Sequence, residues 1–221
     1  MSRRMFKMLS GLINAAAGTA TLYVFVIRPW HLRWGATADE VRRSLPGDDL
    51  VPRPKLNATH AVTIRAPVDR VWPWLAQIGQ GRGGFYSYDW IENLIGLGIH
   101  TADRIIPEFQ NVKVGDAIPL APNFGFPVAI VEPNRTLVLH GDTRVGDSPV
   151  PMKPGDFLNA TWGWFLEPID DRTTRLIERW RADWNPSRWN TLFYRAFLEP
   201  GAFLMERKML LGIQQRAEAM S

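Results

Sequence analysis

From residue 117 onward the apolar residues recur with a period of two, and turn chemistry interrupts that rhythm at two places. Strands are expected near Ala117–Leu120, Phe126–Glu132, Arg135–His140, Ala160–Glu167 and Thr173–Trp184. Glu132-Pro133-Asn134-Arg135 and Pro168-Ile169-Asp170-Asp171-Arg172 lie between consecutive strands and hold the residue types that tight turns need. Strands joined by such short turns pair antiparallel. The last strand gives way at Asn185-Pro186 to a helical pattern that reaches about Ala219, with Pro200-Gly201 expected to kink or break it. A chain that ends this way must lay one long helix across a twisted antiparallel sheet, because one face of the sheet has to be covered.

Upstream, Val62 and Ile64 alternate with Thr63 and Arg65 and mark a strand over His60–Ala66. Pro67 opens a helix that places Val68, Val71, Leu75 and Ile78 on one face, and Pro73 keeps it short or bent. The glycine-rich stretch Gly79–Gly84 leads to Ser87, a candidate N-cap for a second helix ending at Leu94, before Gly96 and Gly98. The fold class is therefore α+β: a curved antiparallel sheet wrapped around a long C-terminal helix, with two short helices closing one end. Sheet and helix cannot meet along their whole length, so a cavity is expected between them. Its lining is expected from Trp162, Trp164 and Trp180 on the strands and from Phe193 and Phe197 on the helix, and plain core packing by the same side chains is the competing reading. Glu178 falls on the same strand face as Trp180. A buried acid there needs a partner, and neighbouring Arg179 and Arg181 point the other way.

The stretch Val62-Thr63-Ile64-Arg65-Ala66-Pro67-Val68-Asp69-Arg70-Val71-Trp72, followed by hairpins and a long last helix, resembles the strand-to-helix opening of the SRPBCC, or START-like, helix-grip superfamily. The stretch Gln80-Gly81-Arg82-Gly83-Gly84-Phe85-Tyr86-Ser87-Tyr88-Asp89-Trp90 is similar to an uncharacterised bacterial branch of it. The resemblance covers about residues 57–219. It implies a helix-grip fold and leaves the activity open, since members bind lipids, hormones or polyketides, or cyclise them.

The N-terminus departs from that pattern. Met8 to Ile27 are 20 residues without a charge, long enough as a helix to cross the roughly 30 Å hydrocarbon core of a bilayer. Arg3, Arg4 and Lys7 precede it. Arg28, Trp30, His31, Arg33 and Trp34 follow it and suit a headgroup zone. A single-pass membrane helix through residues 8–27 is the favoured expectation. A cleaved signal peptide and a twin-arginine export motif at Ser2–Lys7 are the alternatives, and the side of the membrane stays open. The expected organisation is an anchor at 1–34, a short capped helix and proline-rich collar at 35–56, and the domain at 57–221. The net charge of +4 sits in the anchor. Without its five basic residues the chain has 21 basic against 22 acidic groups, so no basic surface for nucleic acid is expected. The absence of cysteine excludes disulfides and thiolate chemistry.

Gly79–Gly84 follows a helix and lacks the Gly-Lys-Ser/Thr of a phosphate loop. It reads as an inter-helix bend near the cavity mouth, with Arg82, Tyr86 and Trp90 as candidate ligand contacts. Histidines 31, 60, 100 and 140 have no metal-site spacing among themselves, so neither a metal nor a cofactor is expected. Asp89, His100 and Glu178 are the acid–base candidates, to be tested by whether two of them converge on the cavity. No serine sits in a nucleophile elbow. The expected function is a membrane-tethered binding protein for a hydrophobic or amphipathic small molecule, lipid or polyketide-like. The alternative is a cyclase or dehydratase-type acid–base enzyme acting on a carbonyl compound. A ligand-free interaction module with a filled core is a third possibility.

Overall fold

The structure, a computed structural model, describes residues 11, 14, 18, 19, 21–145, 155–185 and 187–220. Of the segment 8–27, residues 8–10, 12, 13, 15–17 and 20 lie outside the described residues, as do 146–154 of the proline-rich loop expected over Gly141–Gly155. Among the described residues no helix is long and apolar enough to cross a membrane.

A π-helical turn, Tyr23–Ile27, runs into helix α1, Arg28–His31. Helix α2, Ala38–Arg42, begins with the expected capping box: Glu40 N–H donates to the Thr37 hydroxyl, and the Glu40 carboxylate accepts from the Thr37 N–H. Strand β1, Leu56–Ile64, starts four residues before the expected His60, because Leu56 and Ala58 are already buried on the inward face. Helices α3, Val68–Ala76, and α4, Asp89–Leu94, follow. Strands β2 (Ala117–Ala121), β3 (Phe124–Glu132), β4 (Thr136–Asp142), β5 (Leu158–Asp170) and β6 (Thr173–Trp184) complete the sheet. The order across the sheet is β1-β6-β5-β4-β3-β2, antiparallel throughout.

The C-terminal rod consists of α5, Arg188–Phe193, a π turn at Tyr194–Leu198, and α6, Glu199–Ala219. Ser187 rather than Asn185 caps it, accepting from the Asn190 N–H. The break expected at Pro200-Gly201 does not occur. The rod runs helically through Pro200, which directly follows the π turn, a wider helical turn of the kind at which an interior proline can be accommodated.

Both faces of the central strands are covered. The inward face carries Val62, Ile64, Leu139, Trp164, Leu176 and Trp184, buried with α3 and α6 in the main core. The outward face carries Ala61, Val138, Phe165 and Ile177, which pack with Leu45 in a second cluster. The collar is thus the lid of the outer face. Three arginines of β6 hold it: Arg175 pairs with Glu40 at 2.7 Å, Arg179 with Asp48 at 2.6 Å and Arg181 with Asp48 at 3.4 Å. Arg179 is buried and also donates to the carbonyls of Glu40, Val41 and Arg43. Its solvent is replaced by backbone acceptors, which is what a buried guanidinium requires.

The N-terminal segment is integrated too. The Thr59 and Ala61 N–H groups on the open edge of β1 donate to the carbonyls of Leu32 and Trp34, so this segment covers a sheet edge that would otherwise be free to pair with another chain. Arg28 makes a bidentate pair with Glu199 at 2.7 and 3.0 Å. The physical reason is that the Glu199 side chain is fully buried at the start of α6 and demands a counter-charge.

Candidate functional site

The last helix seats at one end only. Leu210, Ile213 and Ala217 are buried in the core, where α6 packs on β1 and α3. Gly212 comes so close to the Tyr86 backbone that an added Cβ would lie 2.3 Å from the Tyr86 carbonyl oxygen. At the other end the residues facing the sheet are small, Gly201 and Ala202, and there the helix stands away. A cavity of about 480 Å³ remains, walled by Phe124, Phe126, Leu158, Ala160, Trp162 and Trp180 from the strands and by Tyr194, Phe197 and Ala202 from the rod. A smaller chamber of about 200 Å³ shares Leu120, Trp162 and Ala202 with it and adds Phe85, Ser87, Glu92 and Met209. Glu206 lines both.

Glu206 belongs to a buried cluster. His60 on β1 lies directly opposite Glu178 on β6 in the strand register. The two meet at 2.7 Å, Nδ1 to Oε2, and the Glu206 Oε2 approaches the same Nδ1 at 3.3 Å. The outer atoms of this set are also held. The Trp162 Nε1–H donates to Glu178 Oε1 at 2.6 Å, and His60 Nε2 lies 2.8 Å from the His31 carbonyl oxygen. A carbonyl only accepts, so Nε2 carries a proton and Nδ1 faces the two carboxylates. Burial alone would lower the His60 pKa, but the charge and hydrogen bond of Glu178, then the nearby Glu206 carboxylate, outweigh it and raise the group to about 10. Burial, followed by repulsion from Glu178, pushes Glu206 up to about 7. In the smaller chamber, Glu92 accepts from the Ser87 hydroxyl and is likewise pushed up, first by burial.

The residues singled out from sequence separate into two groups. Trp162, Trp180 and Phe197 line the larger cavity. Phe193 is more than half exposed and stacks on Phe197 at its rim, at 6.2 Å between centroids. Trp164 is fully buried in the core beneath Trp162 and lines neither chamber. Arg82, Tyr86 and Trp90, expected as ligand contacts, line neither chamber. The Arg82 guanidinium is folded back onto the carbonyls of Ile78 and Ala76 and over the Phe109 ring, because the end of α3 leaves carbonyls without helical partners. Tyr86 is buried in a left-handed backbone conformation, φ 57°, and donates to the Trp74 carbonyl. Trp90 is largely exposed. Asp89, His100 and Glu178 do not converge. Asp89 is taken up by the Thr101 N–H and hydroxyl, and His100 is exposed. The partner that Glu178 required is His60. The signal for it was available, since His60 shares inward parity with Val62 and Ile64. Glu206 had no comparable signal, being one acid in a helix that reads apolar and polar by turns.

A long helix held in the curve of a six-stranded antiparallel sheet, with two short helices between the first two strands, defines the architecture. This is a helix-grip fold. No family model matches the chain, and no curated protein matches it either. Among solved structures it is similar to a hypothetical protein from Helicobacter pylori (11% identity, 79% of this chain and 95% of that one, TM-score 0.47). It is also similar to norcoclaurine synthase from Thalictrum flavum (12% identity, 75% and 96%, TM-score 0.41) and to a polyketide cyclase-like protein from Corynebacterium glutamicum (19% identity, 74% and 87%, TM-score 0.32). Likeness at these identities concerns the fold alone.

Proposed function

We propose that this helix-grip protein binds one apolar or amphipathic small molecule between its sheet and last helix, close to a membrane surface. The observation that carries the reading is the cavity itself: about 480 Å³, walled by aromatic and aliphatic side chains with Glu206 as an ionisable group in its lining. Pockets of this size and polarity suit a small molecule whose apolar body is buried and whose polar end is placed by a few groups. The uncharged run Met8–Ile27 supports membrane attachment, together with a band of exposed apolar side chains. Val24, Phe25 and Val26 are at least half exposed, as are Trp189, Leu192, Phe193 and Phe197 on α5 and the π turn, of which Phe197 lines the cavity. Such a band beside the opening would let an apolar molecule pass from lipid to protein without crossing water.

Full-length protein purified in mild detergent and extracted with organic solvent should release a stoichiometric small molecule detectable by mass spectrometry. Ala202→Phe, which fills the cavity from the helix side, should abolish that release while the thermal transition stays cooperative. Equal recovery from both proteins would remove the reading. A second reading, acid–base chemistry on a bound carbonyl compound, is favoured by one observation: Glu206, in the cavity lining, belongs to a buried histidine–carboxylate cluster. A supplied carbonyl compound returned chemically changed would support it.

A further inference from the structure

We propose that His60, Glu178 and Glu206 form a binding site for one divalent metal ion of the zinc class, with an open coordination position facing the apolar cavity. The three residues come from β1, β6 and α6 and are all buried. One ligand atom from each, a histidine nitrogen and two carboxylate oxygens, lies within 4.8 Å of the others. A tetrahedral ion about 2.0–2.1 Å from each donor would hold its donors roughly 3.4 Å apart. Nδ1 and the Glu206 oxygen are already 3.3 Å apart, and the 2.7 Å gap to Glu178 needs to open by about 0.7 Å for that geometry.

Three features go beyond proximity. First, the supporting hydrogen bonds are those of a metal site. His60 gives its Nε2–H to the His31 carbonyl and turns Nδ1 inward, and Glu178 uses Oε1 to accept from Trp162 and turns Oε2 inward. Metal-bound histidines and carboxylates are oriented through their other polar atoms in this way. Second, Glu206 Oε2 is buried without a hydrogen-bond partner although it points into the cluster. One proton on Nδ1 serves one carboxylate well and leaves the second short. Third, the charge suits a dication. An imidazolium between two ionised carboxylates leaves a net negative charge in an apolar wall unless Glu206 takes up a proton, whereas neutral imidazole, two carboxylates and a dication sum to zero with both carboxylates free to bind. The donor set of one nitrogen and two oxygens suits zinc or a neighbouring divalent transition ion better than calcium or magnesium, which favour all-oxygen sites. Because Glu206 lines both chambers, the fourth position opens on the space where a ligand would lie. An oxygen of that molecule, from a carbonyl, carboxylate or hydroxyl, is the group it would take.

The inference deepens the cavity reading, since the open position faces the same space. The test uses full-length protein stripped with a chelator, dialysed against Zn²⁺ or Co²⁺, and read for metal content and for the visible absorption of tetrahedral Co²⁺. The expected result is one equivalent per chain, a rise in Tm with Zn²⁺, and at least a tenfold loss of affinity in Glu206→Gln and in His60→Ala. Trp162→Phe, which leaves all three ligands in place, should cost about tenfold through Glu178 orientation alone. Glu206→Gln preserves shape, so it remains informative if His60→Ala fails to fold. Wild type that takes up no more metal than Glu206→Gln, with no Tm response, would overturn the inference and leave the cluster a metal-free ion triad. Ligand release by extraction is scored separately. Metal without a ligand would sink the cavity reading alone, and a ligand without metal would sink this inference alone.

Discussion

Replacing Arg28 by methionine tests whether the N-terminal segment is part of the folded domain. Methionine keeps much of the stem's apolar volume and removes the charge and both hydrogen bonds to Glu199. The Glu199 carboxylate is fully buried, while the Arg28 side chain keeps about a fifth of its surface in water, 22%. Removing one partner of a buried pair costs about 3–5 kcal/mol because the other charge is stranded, and the partial exposure of Arg28 puts the value near the lower end, about 3 kcal/mol. For a chain of this length each kcal/mol moves Tm by about 2–4 °C, so a fall of about 6–12 °C is expected. Thermal and urea unfolding of the full chain in one detergent would measure it. Glu199→Gln in the Arg28→Met background should recover part of the loss, since a neutral amide is cheaper to bury than an unpaired carboxylate. A change below about 0.5 kcal/mol, of the size ordinary surface substitutions show, would mean that Glu199 finds another partner or solvent and that residues 22–34 are not docked on α6.

Gly212→Ala should lower the urea midpoint with little change in slope, at a cost of about 1–3 kcal/mol, because the overpacking against Tyr86 exceeds the roughly 1 kcal/mol that alanine gains in a helix. Arg82→Ala should destabilise by about 1.5–3 kcal/mol through lost charged hydrogen bonds to the α3 carbonyls, yet leave the amount of extracted small molecule unchanged. Glu40 shapes the acid limb of stability. Burial would raise its carboxyl, but Arg175 and the Thr37 N–H outweigh that and hold it at about 2, below its ordinary 4.5. A folded pKa below the unfolded one contributes stability that is complete above about 4.5 and disappears as pH falls toward 2. Urea midpoints measured from pH 6 to pH 2 should therefore fall less steeply in Glu40→Gln than in wild type, and parallel curves would contradict the assignment.

The aromatic half of the site was legible because strand parity is a local property. Trp162 and Trp180 stand on the inward face for the same reason that Leu176 does, and the structure places both in the cavity wall. Parity also pointed Glu178 inward, without saying what would meet it. The glycine-rich loop was less legible. Arg82, Tyr86 and Trp90 share a few residues of sequence near a bend, yet Arg82 turns back on α3, Tyr86 plugs the contact with α6, and Trp90 faces out. Nearness along a loop carries no information about direction, because each φ/ψ choice there is free of a repeating pattern.

Period and turn chemistry determined by themselves that this chain makes an antiparallel sheet, two short helices and a long last helix, since each rests on interactions within a few residues. Three things waited for the tertiary structure. The collar covers the outer sheet face through arginines of β6, the N-terminal segment docks on α6 through Arg28, and residues 60, 178 and 206 gather into one charged cluster. Each joins groups more than a hundred positions apart or depends on where the last helix stops touching the sheet. Long-range register and the space left by Gly201 and Ala202 decide such contacts, and no local pattern encodes either.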